Sequence, residues 1–288
     1  MTIKATNDLM FKKLLASEEN KDILQGFIKD FCGLDVPCDE IHIETPYSVE
    51  FYKKALGENK KRLYRIESDI AVELRSLNII VELQMYKDDY FFARALYYTF
   101  ERFIKNYGTP GKMVGTRAGK PDKYSSLKPV YAVNIVDGKL FQKDNDAIRT
   151  FTLYDTEHYS GLDKDWIRLS FLELDKAYIE NTNQKYWHDF FSRGMVSSDA
   201  PAYIKRAQSV TDIVNMDEEE RSMLSTYEKS KAKHYSQYNT ALREGIKQGV
   251  DKGVDALAEL IMQGVPLDEA VERAKETVET VQLSEDTD

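Results

Sequence analysis

Apolar residues recur three and four positions apart in several stretches of the chain, which is the spacing of a helix face. The first stretch covers residues 6–31 and is followed by Gly33, a typical helix stop. A second covers residues 88–107, where we expect Tyr97 and Tyr98 to pack in the core. Beyond about residue 175 the pattern is almost entirely helical.

Extended runs separate these helices. Ile70, Val72 and Leu74 alternate at the two-residue period of a strand. A short polar connection, residues 75–78, then leads into a continuous apolar run. This order predicts a hairpin whose second strand lies in the centre of a sheet. The predicted strands cover residues 41–52, 62–74, 79–85, 129–136, 148–153 and 167–174.

The order strand, strand, helix, strand predicts an α/β fold with a mixed central sheet flanked by helices. We assign this core to residues 1–176 and an all-helical extension to residues 177–288. The extension is predicted to contain a long helix over about residues 217–250, a glycine-spaced arm and a terminal helical hairpin.

The glycine-spaced arm contains Gly245, Gly249 and Gly253, four residues apart. This spacing permits close contact between helices, and the charged neighbours indicate a solvated arm or a homo-oligomer contact rather than a membrane segment. Gly264 and Pro266 then predict the end of one helix and the start of the next. A helix-turn-helix is the alternative for this region, and its acidic surface argues against it.

The amino-acid composition argues against two classes of protein, one disordered throughout and one that spans a membrane. With 18 Tyr and 13 Phe the 288-residue chain is too aromatic for disorder throughout, and no apolar run is long enough for a membrane span. The two cysteines, Cys32 and Cys38, form neither a disulfide framework nor a zinc site. The N-terminus has no apolar signal-peptide core. We therefore expect a cytoplasmic protein, with association to a prokaryotic nucleoid as an alternative.

The net charge of −9 argues against nucleic-acid binding, but the charge is unevenly distributed. Residues 102–149 contain ten basic and four acidic residues, a local charge of +6. Residues 217–288 contain 17 acidic and nine basic residues, a charge of −8. The acidic excess therefore belongs to the C-terminal helices, and the segment after the central hairpin is basic.

Within this basic segment, residues 108–128 are rich in Gly, Pro and Lys and are predicted to form a long mobile loop. Such a loop can follow a phosphate backbone, and a solvated surface loop is an equally good interpretation. The candidate nucleic-acid contacts are Lys12, Lys112, Arg117, Lys120, Lys123 and Lys128.

The residues most able to perform chemistry lie in the predicted hairpin. Glu82 and Gln84 share one face of their strand because side chains alternate, and the Leu83 carbonyl lies between them. Asp69, on the preceding strand, can lie alongside. Two carboxylates and a carbonyl are oxygen ligands suited to Mg²⁺ or Mn²⁺. The spacing alone is weak evidence, because a glutamate at a strand end is usually just exposed.

The sequence resembles the PD-(D/E)XK nuclease superfamily, and within it the Rpn-type group of recombination-promoting nucleases and transposases. Short motifs match in order along residues 1–264. They are Thr6–Lys12, Ser68–Ile70, Ile80–Gln84, Arg94–Tyr98, Lys128–Tyr131, Phe171–Lys176 and the glycines from Gly245 to Gly253.

This resemblance implies a restriction-endonuclease-like core and metal-dependent hydrolysis of DNA. Asp69 and Glu82 would hold the ion, and Gln84 would take the position of the superfamily's lysine. Gln carries no charge. The positive charge of the superfamily's lysine would therefore come from Lys12, Arg94 or a loop residue. Asp8 is a candidate further carboxylate, with helix N-cap or first-turn acid as its alternative.

Arg94 and Glu173 also have structural interpretations. Arg94 could instead form an ion pair with Glu101 or Asp88. Glu173 is expected to belong to a structural junction between a strand and a helix.

Three functions remain open at this point. The first is a Mg²⁺-dependent DNA endonuclease, and Gln84 motivates the second, a nuclease fold of reduced activity that binds DNA or protein. The third is an assembly protein that acts through its acidic helical tail.

Overall fold

The computed structural model describes residues 2–44, 46–49, 70–85, 90–117 and 119–275, without the side chains of Arg117 and His234. The chain divides into two compact units, Met1–Leu224 and Ser225–Asp288. The first contains the sheet and the candidate site. None of the described helices combines the length and the hydropathy that a membrane crossing requires.

Among the described residues, the following helices and strands have both ends assigned. The helices are α1 (Asp8–Ala16), α2 (Lys21–Cys32), α3 (Phe91–Ile104), α4 (Thr182–Arg193), α5 (Ala202–Thr211) and α6 (Glu218–Met262). The strands are β1 (His42–Ile43), β2 (Ile70–Glu73), β3 (Asn78–Gln84), β4 (Thr116–Arg117), β5 (Lys120–Pro121), β6 (Val130–Val136), β7 (Ile148–Thr152), β8 (Tyr154–Asp155), β9 (Ser160–Gly161) and β10 (Ile167–Glu173).

One mixed sheet forms the centre of the first unit, with strand order β1-β2-β3-β6-β10-β7. β2 pairs antiparallel with β3, whereas β3, β6 and β10 run parallel to one another. β3 and β6 lie in the middle of the sheet. Every residue of β3 before Gln84 is buried, including Glu82 and Leu83. The predicted α/β class, the mixed sheet and the hairpin with a central second strand are therefore confirmed.

Strand alternation divides the sheet into two faces. Ile80 packs with Val130, Ala132 and Ile167 on the face that also contacts Phe103 of α3. The opposite face carries buried residues such as Val81, and α1 contacts the sheet at β2. Glu82 and Gln84 follow Ile80 at two-residue spacing, so they lie on the α3 face.

The first helices follow local capping signals. The Asn7 side chain accepts hydrogen bonds from the backbone N–H groups of Leu9 and Met10, which makes Asn7 the N-cap of α1. Gly33 adopts φ 71° after α2, where a left-handed residue ends the helix. The helical stretch predicted over residues 6–31 is two helices, separated at Ser17 and a short 3₁₀ turn, Glu18–Asn20.

Three details differ from the sequence expectations. In the run of residues 41–52, the described strand is only His42–Ile43. The loop of residues 108–128 contains the β4–β5 hairpin and a 3₁₀ turn, Lys123–Ser126, held partly by the Ser125 and Ser126 hydroxyls. Tyr97 is 62% exposed, so its predicted place in the core is wrong.

The contact between α2 and α5 gives a test of the packing. A Cβ at Gly26 would overlap the ring of Tyr203, which donates a hydrogen bond to Asp30 at 2.8 Å and stacks on Trp187. Burial, and then Asp30, raise the pKa of the Tyr203 phenol, which keeps it a donor.

We expect Gly26→Ala to lower the free energy of unfolding by about 1–3 kcal/mol, measured by chemical denaturation. Ala favours a helix over Gly by about 1 kcal/mol, so a rise in stability would contradict the packing. In the control pair, Gly26→Ala should cost little when introduced into a Tyr203→Ala background, where the ring is absent.

In the described part of the C-terminal unit, a turn separates α6 from a second helical segment. Gly264 adopts φ 81° just after α6, and the Val265 N–H bonds the Leu260 carbonyl. Residues 267–275 are again helical, and their Ala270 is fully buried. Along α6, a row of exposed apolar side chains follows a four-residue spacing: Tyr238, Leu242, Ile246, Val250 and Val254.

Candidate active site at the end of β3

Glu82 and Gln84 lie at the C-terminal end of the central strand β3, and their side chains project toward α3. Glu82 is only 7% exposed, and it pairs in register with Asn134 of β6. A buried carboxylate is costly unless a positive group or hydrogen-bond donors compensate it. The end of β3 therefore carries a negative charge that requires a partner.

The Leu83 carbonyl lies between these two side chains and points toward the β2 side of β3. The Asp137 N–H donates to the Gln84 carbonyl at 2.9 Å, so the Gln84 carbonyl points toward β6. Successive carbonyls of a strand alternate in direction, which turns that of Leu83 the other way. Its oxygen thus lies on the side of β3 where Asp69 precedes Ile70 in the chain.

Arg94, in the first turns of α3, reaches both side chains. One of its terminal nitrogens, Nη2, donates a hydrogen bond to Gln84 Oε1. Its Nε lies 3.6 Å from Glu82 Oε1, and its guanidinium lies 5.7 Å from the ring centre of Phe91. Among the described residues Arg94 thus pairs with Glu82. Asp88, one of the two partners in the structural alternative for Arg94, lies outside the described residues, so that alternative stays a prediction.

The other candidate catalytic residues lie on α1 or outside the described part. Asp69 lies outside the described residues. Asp8 is the first residue of α1 and a first-turn acid, while the N-cap is Asn7. Lys12, also on α1, is buried. The catalytic roles of Asp69 and Asp8 and the phosphate contact of Lys12 stay predictions.

Two of the predicted nucleic-acid contacts are paired at the opposite end of the hairpin. Lys112 Nζ lies 2.6 Å and Lys128 Nζ 2.9 Å from Glu73 Oε1, and Glu73 pairs with Asn78 at the start of β3. Lys120 and Lys123 are exposed. The structure therefore does not bring Lys112 and Lys128 to Glu82, and the phosphate contacts of Lys120 and Lys123 stay predictions.

A second carboxylate, Glu44, is paired at the same end of the hairpin. It lies 2.6 Å from both Arg102 and Lys105. Burial alone would raise its pKa, but the hydrogen bonds from these two cations outweigh burial and lower the pKa of Glu44 to about 2. Sequence reasoning missed Glu44 and Glu73, and no local motif marks them.

Glu173 and Lys176 form a buried ion pair, with Lys176 Nζ 2.8 Å from Glu173 Oε2 and both side chains at most 1% exposed. Glu173 Oε1 also accepts hydrogen bonds from the backbone N–H groups of Leu140 and Phe141. These contacts fix the loop after β6 to the end of β10. The interpretation of Glu173 as part of a structural junction agrees with this geometry.

A pocket of about 260 Å³ lies at the end of the parallel strands, where Met85 and Asp137 follow β3 and β6. Lys4 and Arg193 line it with the acids Asp137 and Asp175.

The oxygen atoms at the end of β3 suit a hard divalent cation. Glu82 has a buried carboxylate, and the neighbouring Leu83 carbonyl is a neutral oxygen. Among the described residues no group of three His, Cys, Asp or Glu side chains is placed to hold a metal. A complete site therefore requires a further ligand from outside those residues, and the sequence candidate is Asp69.

The fold is that of an α/β protein with a mixed sheet, whose central strand ends in the buried Glu82 and the half-buried Gln84, both in contact with Arg94 of the next described helix. The model of the PD-(D/E)XK nuclease family transposases matches residues 5–241. The chain belongs to this family. No curated protein and no solved structure gives a significant match to it.

Proposed function

We propose that the protein is a metal-dependent DNA endonuclease of the recombination-promoting, Rpn type. The observation that carries this proposal is the buried Glu82 carboxylate beside Gln84 and Arg94 at the end of β3, in a chain of a nuclease family. A buried carboxylate lowers the stability of the fold. Such a cost is expected at a position where the function requires the carboxylate.

In this proposal Asp69, Glu82 and the Leu83 carbonyl hold a divalent ion, Mg²⁺ or Mn²⁺. Asp69 enters on the sequence, because it directly precedes Ile70, and Ile70 pairs with Val81 next to Glu82. When bound, such an ion lowers the pKa of a water molecule and offsets negative charge on a phosphate.

The remaining candidate residues supply positive charge, a further carboxylate and contacts with the DNA. Gln84 stands where a lysine would supply a cation, and the Arg94 guanidinium that it binds carries the missing positive charge. Asp8 is the proposed additional carboxylate. The DNA backbone would contact Lys12, Lys112, Arg117, Lys120, Lys123 and Lys128.

Cleavage of supercoiled plasmid DNA tests the proposal. We expect nicking or linearisation with Mg²⁺ and none with a chelator, and Asp69→Asn should lose about 10³-fold in rate because the ion loses a charged ligand. Asp163→Asn, an exposed site far along the chain, is the matched control and should cleave normally. Equal cleavage by the Asp69 variant would exclude the site.

A fold of reduced activity that binds DNA or protein is the second candidate, and Gln84 favours it. DNA binding without cleavage in the same assay would support it. The homo-oligomer contact through α6 and its exposed apolar row, the division at residues 176 and 177, and the cytoplasmic or nucleoid location stay predictions.

A further inference from the structure

Two exposed tyrosines meet on the surface of the basic segment, just beyond the end of α3. Tyr107 follows the last residue of α3 by three positions and is 45% exposed. Tyr124 lies in the 3₁₀ turn Lys123–Ser126 and is 63% exposed. Their ring centres are 5.1 Å apart, and the ring planes are inclined at 62°. Aromatic surface left open to solvent in this way is available to stack on another flat ring.

Hydrogen bonds to the backbone hold both tyrosines in place without help from the rings. The Asp122 carboxylate accepts a hydrogen bond from the Tyr124 N–H at 3.0 Å. The N–H of Gly108, which follows Tyr107, donates to the Ser126 hydroxyl at 2.9 Å. Because the backbone is fixed on either side, the two rings are already in position, and little ordering is needed when a ligand binds.

Positive charge surrounds the two rings. Residues 105–124 contain five basic residues and one acidic residue. Two of these cations pair with carboxylates elsewhere in the fold. Lys120 and Lys123 are exposed and form no ion pair with any described residue, and Lys123 passes beside Gly108, the residue after Tyr107. Free cations beside open aromatic rings are the combination that binds single-stranded nucleic acid.

A second pair of exposed tyrosines lies in surroundings of the opposite charge. Tyr154 and Tyr159 flank the turn of the β8–β9 hairpin, with ring centres 6.1 Å apart. Residues 154–165 contain four acidic residues and one lysine, so this pair would repel a phosphate backbone. The comparison shows that exposed rings alone do not define the ligand, and that the surrounding charge distinguishes the two pairs.

We propose that Tyr107, Tyr124, Lys120 and Lys123 form a tyrosine platform that binds an unpaired stretch of a DNA strand. Its bases stack on the rings, and its phosphates contact the lysines. Bases within a duplex are already stacked on their neighbours, so the rings select single-stranded segments. This inference rests on the proposed function, which makes the ligand DNA, and it adds a substrate class, DNA with a single-stranded part.

The tyrosine platform lies apart from Glu82. Arg94, which contacts Glu82, is ten residues before Ile104 at the end of α3, about 15 Å along the helix. A strand that reaches from one place to the other therefore spans about four nucleotides or more, at the roughly 3.4 Å spacing of stacked bases. The two contacts can thus be tested separately.

The test is binding of a fluorescently labelled oligothymidine of about 16 nucleotides to the full-length protein, by anisotropy with a chelator present. We expect Tyr107→Ala and Tyr124→Ala each to raise Kd at least about fivefold, because a stacked base is lost. Tyr107→Phe keeps the ring and should change Kd less than about twofold. Tyr154→Ala, from the acidic hairpin, is the matched control and should also change Kd less than about twofold.

The same strand paired with oligodeoxyadenosine is the second probe. Its Kd should change less than about twofold in the alanine variants, because its bases cannot stack on the rings. Unchanged binding of the single strand by both alanine variants, or an equal loss for the duplex, overturns the tyrosine platform. Tighter binding of oligouridine than of oligothymidine overturns the assignment to DNA.

Plasmid cleavage separates this inference from the proposed function. Wild-type protein that cleaves plasmid DNA but does not bind oligothymidine overturns the tyrosine platform alone. Tyrosine-dependent binding without cleavage supports the platform and overturns the endonuclease. Thermal melting verifies that each variant is folded, and Tyr124→Leu, which keeps an apolar side chain without the ring, replaces Tyr124→Ala if that variant is not.

Discussion

Glu82→Gln is expected to lower metal-dependent DNA cleavage by about 10³-fold or more, equivalent to about 4 kcal/mol of transition-state stabilisation. The substitution replaces a charged oxygen ligand with a neutral amide of nearly the same volume. Hard divalent ions bind carboxylates far better than amides in small ligand sets. Cleavage rates at saturating Mg²⁺ on one plasmid substrate measure the effect.

The fold should survive this change. Gln fits the space of Glu82, and its neutral amide removes the cost of a buried charge. We therefore expect the melting temperature to stay equal or rise. Glu101→Gln, an exposed site on the same α3 helix as Arg94, is the matched control for activity. Full activity of Glu82→Gln would remove Glu82 from the site.

The core of this site was predictable from local pattern. The alternation of Ile80, Glu82 and Gln84 at two-residue spacing is enough to put both polar side chains on one face of a strand. The apolar run before them is enough to bury that strand in the centre of the sheet. Both expectations hold in β3.

The partner of Arg94 was not predictable in the same way. Local spacing points to Glu101, seven residues after Arg94 and on the same helix face, or to Asp88, six residues before it. The described contacts are with Glu82 and Gln84, because α3 packs back across the face of β3. A contact between a helix and the strand before it depends on how the two elements pack, and no local spacing encodes it.

The basic segment illustrates a second limit. Its +6 charge was counted from residues 102–149 alone. Lys112 and Lys128, however, both pair with Glu73, 39 and 55 residues away in the chain, and its one negative charge offsets one of their two positive charges. A regional charge thus overstates what the surface offers to a phosphate backbone, since pairing across the fold removes part of it.

Lys176→Met is expected to destabilise the protein by about 3–5 kcal/mol, because it leaves the Glu173 carboxylate buried and without its cation. For a domain of this size that corresponds to a fall in melting temperature of about 10 °C. Chemical denaturation and thermal melting measure both quantities. Met preserves the apolar stem, so the loss reports the charge and not the packing.

Asp144, the more exposed acidic neighbour of Lys176, gives a control. Asp144 lies 3.6 Å from Lys176 and also pairs with Arg149, at partly exposed positions. Exposed ion pairs contribute about 1 kcal/mol or less, so Asp144→Asn should cost far less than Lys176→Met. Equal losses for the two variants would mean that burial of the Glu173 charge is not the cause.

A double variant separates the charge from the hydrogen bonds. Glu173→Gln with Lys176→Met removes both charges and keeps a side-chain oxygen that can accept from the Leu140 and Phe141 N–H groups. We expect it to be more stable than Lys176→Met alone, since an unpaired buried charge costs more than a neutral pair. A double variant less stable than Lys176→Met would show that the carboxylate stabilises the loop after β6 even without its lysine.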